Sequence, residues 1–133
     1  MDGEELIPAR RARKLKTALI REQEKVAPGA IHIYDLVCVR NSGSKCADLL
    51  LTRPTEVLAS LVSLYGGDKE SAVIAFTLVF LKPLEKVLGA EDLSDHLLEL
   101  VKTGRDREFI EAIAKALSSS KTAESNLLFT LEI

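Results

Sequence analysis

The sequence predicts an α+β fold in which helices dominate. Three observations carry that expectation. Apolar residues recur at helical spacing over most of the chain. One run, residues 31–40, is rich in β-branched and aromatic side chains and follows the breakers Pro28 and Gly29. The last residues, 127–133, form an apolar, strand-like segment.

Residues 4–26 read as a long helix. Leu15 and Leu19 make a narrow apolar seam that Ala12, Ala18 and Ile20 broaden, and most other positions hold strong helix formers. Ala27, Pro28 and Gly29 end it. Residues 31–52 read as a β-hairpin, turning through Asn41, Ser42, Gly43 and Ser44. Pro54 opens a helix over 54–65 that carries Val57, Leu58, Leu61 and Val62, and Gly66 and Gly67 stop it. Asp68 caps the next helix, over 69–81, which is apolar on every side and so belongs at the centre of the core. Pro83 should kink or restart that rod. Two amphipathic helices follow, over 91–103 and 106–118, the second capped by Asp106. The C-terminal strand, 127–133, should return to the hairpin or dock on another subunit by strand addition. The chain is thus expected to be one domain over 1–133: a basic N-terminal helix within 1–26, a hairpin, a helical cluster over 54–118 around the buried helix, and a terminal strand.

Composition bounds the function. The chain has 133 residues, 47% apolar and 29% charged, which suits a globular domain and excludes wholesale disorder. No stretch approaches the ~20 apolar residues that cross a bilayer, and the acidic start, Asp2 to Glu5, gives no secretory signal, so a cytoplasmic protein with no membrane partner is expected. Two Asn, one Gln and no Trp, beside abundant Leu, Ala, Glu, Lys and Arg, lean toward a thermophile. The net charge of −2 argues against general polyanion binding. The charge is uneven, however. Arg10, Arg11, Arg13, Lys14, Lys16 and Arg21 fall in a stretch without an acid, whereas residues 91–111 hold seven acids against three bases.

Those basic residues, with Arg40 and Lys45 at the hairpin loop, are the candidate contacts for a partner or for the phosphate backbone of DNA or RNA. The loop is not a Walker A loop, since the Gly-Lys-Ser/Thr order is missing. No aromatic interleaves the basic helix to stack on bases. Folding the hairpin about Ser42 sets Cys38 opposite Cys46, where a disulfide, two buried thiols or, less favoured, zinc with His32 are the readings. His96 and Glu99 share a helical face, but no nucleophile accompanies them, and Ser118, Ser119 and Ser120 read as a helix end. No metal-binding, dinucleotide, nucleophile-elbow or paired C-x-x-C motif is present, so no cofactor, metal or catalytic residue is assigned. The leading expectation is a small non-catalytic interaction or assembly protein, a homo-oligomer or a subunit of a larger complex. Leu127, Leu128, Phe129, Leu131 and Ile133 would be its oligomer contacts. A nucleic-acid-binding module is the alternative, and an enzyme of unknown class the last.

Overall fold

A computed structural model describes residues 6–128. Among these residues the chain is helical throughout, with no strand and no sheet, so the α+β expectation is corrected to an all-α fold. The elements are α1 (Ala9–Val26), α2 (Ala30–Ser42), α3 (Cys46–Leu50), α4 (Pro54–Leu64), α5 (Lys69–Phe76), a π turn (Thr77–Leu81), α6 (Lys82–Leu88), α7 (Leu93–Lys102), α8 (Asp106–Ser119) and α9 (Lys121–Leu128).

The hairpin is where the expectation fails. Residues 31–52 form α2, a tight turn and α3 instead. Tyr34, Val37 and Cys38 are buried at helical spacing, but Ile33, Leu36 and Val39 are also apolar and lie on the outside. A helix apolar on both faces shows no amphipathic period, and its β-branched content then imitates a strand. The Asn-Ser-Gly cluster is a helix terminus rather than a hairpin turn. Gly43 adopts φ +80° and its N–H donates to the Val39 carbonyl at 2.9 Å, the left-handed cap that glycine favours.

At the C-terminus the correction reaches Leu127 and Leu128, the described part of the expected strand. Residues 121–128 are helical. Ser120 Oγ accepts from the Ala123 N–H at 3.1 Å while donating to the Leu88 carbonyl at 2.7 Å, so one hydroxyl starts α9 and ties it to the end of α6. Ala123 and Leu127 then fall four apart and both enter the core. Phe129, Leu131 and Ile133 lie outside the described residues, as do the first residues of the predicted 4–26 helix. That helix begins at Ala9, directly after Pro8.

The expected central rod is present and longer than predicted, but it is not buried on every side: Ile74 and Leu78, on one face of it, are 55% and 56% exposed. α5, the π turn and α6 run on without a break in helical dihedrals. Asp68 caps the rod, its Oδ1 accepting from the Ser71 N–H at 3.1 Å. Phe76 and Phe80 stack within it at 5.8 Å and, with Leu81, Leu84 and Leu88, are fully buried. Around the rod pack Leu15 and Leu19 of α1, Leu61 of α4, Leu97 of α7 and Phe109 of α8.

Caps from distant elements lock the bundle. Asp106, expected to cap its own helix, is instead the first residue of α8 and caps α4: its Oδ1 accepts from the Thr55 N–H and its Oδ2 from the Thr55 hydroxyl, both at 2.9 Å. Glu85 does the same for α7, with Oε2 accepting from the Ser94 N–H at 2.9 Å. Burial works to raise the Glu85 carboxyl pKa. The Ser94 amide and Lys82 outweigh it and hold the pKa below the ordinary carboxylate value.

Candidate interaction surfaces

Two surfaces stand out, and α2 belongs to both. One helix face turns inward. Tyr34 stacks on Phe80 at 6.1 Å, and its hydroxyl meets the Tyr65 hydroxyl at 2.8 Å. Burial, seconded by that hydroxyl pair, pushes the Tyr34 phenol up to about 12. Near the other end Cys38 is joined by a disulfide to Cys46, the first residue of α3, with Cα atoms 5.5 Å apart and both residues buried. The sulfurs meet because a helix end and the next helix start converge, not because two strands pair. Asp35 Oδ1 accepts from the Cys46 N–H at 3.0 Å and so caps α3 from α2.

The outer face of α2 is the first surface. Ile33, Leu36 and Val39 are 54%, 64% and 46% exposed. The residues that share the exposed side between Ala30 and Val39 include no lysine, arginine or glutamate, and Asp35, the one acid, is turned to Cys46. Isolated apolar side chains on a surface are ordinary, but a row of three along one uncharged helix face is a contact surface in form.

The second surface is a cleft between α1, α2 and α3, with a volume of about 210 Å³. It runs along α1 from Arg13 and Lys16 past Ile20 to Gln23, and its opposite wall includes Lys45, Asp48 and Ile31. Lys16 Nζ pairs with Asp48 Oδ1 at 2.7 Å across it. Phe80 and Cys46 lie at its floor, each 1% exposed.

The structure therefore divides the eight cations singled out from the sequence. Arg13, Lys16 and Lys45 gather at the cleft. Arg10, Arg11 and Lys14 line a separate groove with Glu124 and Leu128 between α1 and α9. Arg11 is held to the fold, its Nη2 donating to the Leu117 carbonyl at 3.3 Å near the end of α8. Arg21 is exposed on α1, and Arg40 is exposed near the end of α2. Of the expected oligomer contacts, Leu127 is buried within its own chain, and Leu128 is exposed at 69%.

His96 is exposed on α7 and faces a shallow groove with Glu108, Glu111 and Lys115 of α8. His32 is exposed on α2, and among the described residues no three or more His, Cys, Asp or Glu side chains cluster to hold a metal ion. Ser118 and Ser119 bond back to the Ala114 and Lys115 carbonyls, as residues of a helix end do.

Gln23, Asp35 and the outer row of α2 were not singled out in the sequence. A glutamine inside an apolar seam was the available signal for the first. The row was concealed by the strand reading. Comparison with protein-family models, with curated proteins and with solved structures finds no match. No helix among the described residues is long and apolar enough to cross a membrane.

Proposed function

We propose that this chain is a non-catalytic assembly protein that pairs with a second copy of itself through α2. The observation that supports this is the outer row of Ile33, Leu36 and Val39 on a face without charge. Of the expected C-terminal contacts, Leu127 is used inside its own chain, Leu128 is exposed, and the other three lie outside the described residues.

The row suits its own copy. An antiparallel crossing centred on Leu36 sets Ile33 of one protomer against Val39 of the other, and Leu36 against Leu36. A two-fold interface needs a patch that complements itself in this way. No like charges meet at the centre of that crossing. Arg40 and His32 fall at its two ends, where solvent screens them.

Sedimentation velocity from about 5 to 500 µM tests the pairing, a range that brackets micromolar association. The expected result is twice the chain mass of 14.6 kDa at the upper concentrations, and the monomer throughout for Leu36→Glu. An Ile33→Cys/Val39→Cys variant should give an intermolecular cross-link on mild oxidation. A wild-type chain that stays monomeric over the whole range overturns the reading.

The nucleic-acid reading retains one supporting observation, the meeting of Arg13, Lys16 and Lys45 at one cleft. It is weakened by the positions of the rest. Lys16 is paired with Asp48, Arg11 holds the end of α8, Arg10 and Lys14 line a different groove, and Arg21 is exposed elsewhere on α1. Oligonucleotide binding that falls steeply between about 50 and 300 mM salt, and falls again in Arg13→Ala/Lys45→Ala, would restore it.

A further inference from the structure

The cleft between α1, α2 and α3 has features that the assembly reading leaves unused. Gln23 lies at one end of it and is 1% exposed. Its Nε2 donates to the Val79 carbonyl at 2.9 Å. Among the described residues nothing donates to its Oε1. A buried amide oxygen without a donor is costly, and native structures satisfy such groups with a partner, water or a ligand. This atom is not among the fully enclosed unpartnered ones, which are the Ser60 and Ser94 hydroxyls, so it is not sealed off, and the residue lines the cleft.

The other end differs in charge. Among the described residues, Arg13, Lys16 and Lys45 stand there with Asp35 and Asp48. Both carboxylates are already engaged, Asp48 with Lys16 and Asp35 with the Cys46 amide. Lys45 makes no ion pair among the described residues. Between the ends the lining is apolar, from Ile20, Ile31, Ala47 and Phe80. Arg13 and Gln23 are ten residues apart on α1, about 15 Å of helix. The π turn borders the cleft through Phe80, and such turns are frequent at functional sites.

We infer that this cleft binds a small organic monoanion with a flat apolar body and a hydrogen-bond donor at the end remote from its charge. The carboxylate faces Lys45, the body lies between Ile20 and Phe80, and the donor completes the Gln23 Oε1. An apolar cavity of about 150 Å³ accepts benzene. The 210 Å³ here therefore takes one substituted ring. Mostly apolar walls with a few convergent polar groups are the usual make-up of small-molecule sites.

The probe is 4-hydroxycinnamate, titrated into ¹⁵N-labelled protein. Gln23 is the single glutamine of the chain, so its side-chain amide pair reports on this atom alone. Saturable shifts of that pair and of the Ile20, Ile31 and Lys45 amides are expected, with a Kd on the order of 1 mM for a ligand of this size. Cinnamate, which lacks the donor, should bind at least about fivefold more weakly without moving the Gln23 pair, since a lost buried hydrogen bond has that order of effect. Lys45→Ala should weaken 4-hydroxycinnamate by a similar factor, and Ile20→Trp should abolish the shifts by filling the mouth. Both positions are exposed, and an unchanged backbone spectrum reports that each variant is folded. Absence of saturable shifts to about 10 mM, tenfold above that Kd, overturns the inference. Equal binding of cinnamate, or shifts indifferent to Lys45→Ala, does so as well. The titration is run below the concentration at which any self-association sets in, so its outcome is independent of pairing through α2.

Discussion

The Gln23 side chain reaches across 56 residues of sequence to donate its Nε2 to the Val79 carbonyl at 2.9 Å. In an α-helix that carbonyl would accept from the residue four positions on, which here is Pro83 and has no N–H. The rod adapts in two ways. Its backbone widens into the π turn Thr77–Leu81, with the Lys82 N–H donating to the Thr77 carbonyl five residues back. The glutamine then supplies the donor that proline lacks. Pro83, expected to kink or restart the rod, stands in the first turn of α6, where the α-helical pattern resumes after the π turn.

Replacing Gln23 by Leu should therefore destabilise the protein by about 1–3 kcal/mol, the cost of leaving a buried carbonyl unsatisfied. Pro83→Ala restores an N–H four residues after Val79. If the π turn exists to accommodate proline, the Gln23→Leu cost should shrink by about 1 kcal/mol in the Pro83→Ala background. Urea unfolding of the four proteins of this cycle measures the coupling. Strict additivity would mean that glutamine and proline act independently.

How much of this was legible beforehand follows from where each signal lies. Pro54, Gly66, Gly67 and Asp68 act on their own helix ends, so the local sequence specifies these boundaries. Asp106, Glu85 and Asp35 each cap a different helix from the one they sit on. Nothing in local spacing distinguishes such a residue from an ordinary first-turn acid. The failure at α2 has another origin. Ile33, Leu36 and Val39 occupy positions where a solvated helix normally carries charge, so the 3.6-residue period vanished and β-branched content decided the reading. The residues that broke the pattern are the ones now proposed to meet a partner. The same holds for the cleft: the cations at its charged end are visible in the sequence, but only the fold shows that Lys45 and Arg13 line one cleft while Arg11 turns to α8.

The Cys38–Cys46 bond should contribute measurably to stability. It closes a short loop, with eight residues of sequence separation, and joins α2 to α3 inside the core. Chain-entropy arguments give about 2–3 kcal/mol for a loop of this length. Reductant should lower the urea midpoint accordingly, and Cys38→Ala/Cys46→Ala should unfold like the reduced protein and ignore reductant. An unchanged wild-type midpoint under reducing conditions would show that helix packing alone holds the two elements together.

Tyr34 sets an alkaline limit. Its phenol titrates at about 12 in the folded chain, against an ordinary value of about 10, because burial and the Tyr65 hydroxyl disfavour the phenolate. A raised pKa means that the folded state holds its proton more tightly than the unfolded one. The stabilisation is complete below pH ~10 and is lost as pH rises from there through the folded value. Tyr34→Phe should cost about 1 kcal/mol at pH 8 through the lost hydrogen bond. It should also flatten the fall in stability between pH 8 and 11. Parallel slopes for wild type and variant over that interval would assign the alkaline loss to other groups.

Gly89 ends α6 in the left-handed region, at φ 62°, and its N–H donates to the Glu85 carbonyl at 2.8 Å. Two separate penalties meet any side chain placed there. The backbone conformation costs a non-glycine residue about 1–2 kcal/mol. A Cβ at this position would also run into the Cβ and Cγ2 of Thr122, in the first turn of α9. That contact is a helix side chain rather than the tip of a long flexible one, so α9 itself must shift, and overpacking of this kind costs about 1–3 kcal/mol more. Gly89→Ala should therefore lose about 2–4 kcal/mol in thermal or urea unfolding, and the two parts can be separated. Thr122→Gly removes the clashing atoms but leaves the backbone term, so the combined variant should recover the steric share relative to the sum of the single changes. A Gly89→Ala cost that is the same with and without Thr122 would place the whole penalty in the backbone and show that α9 does not bear on the end of α6.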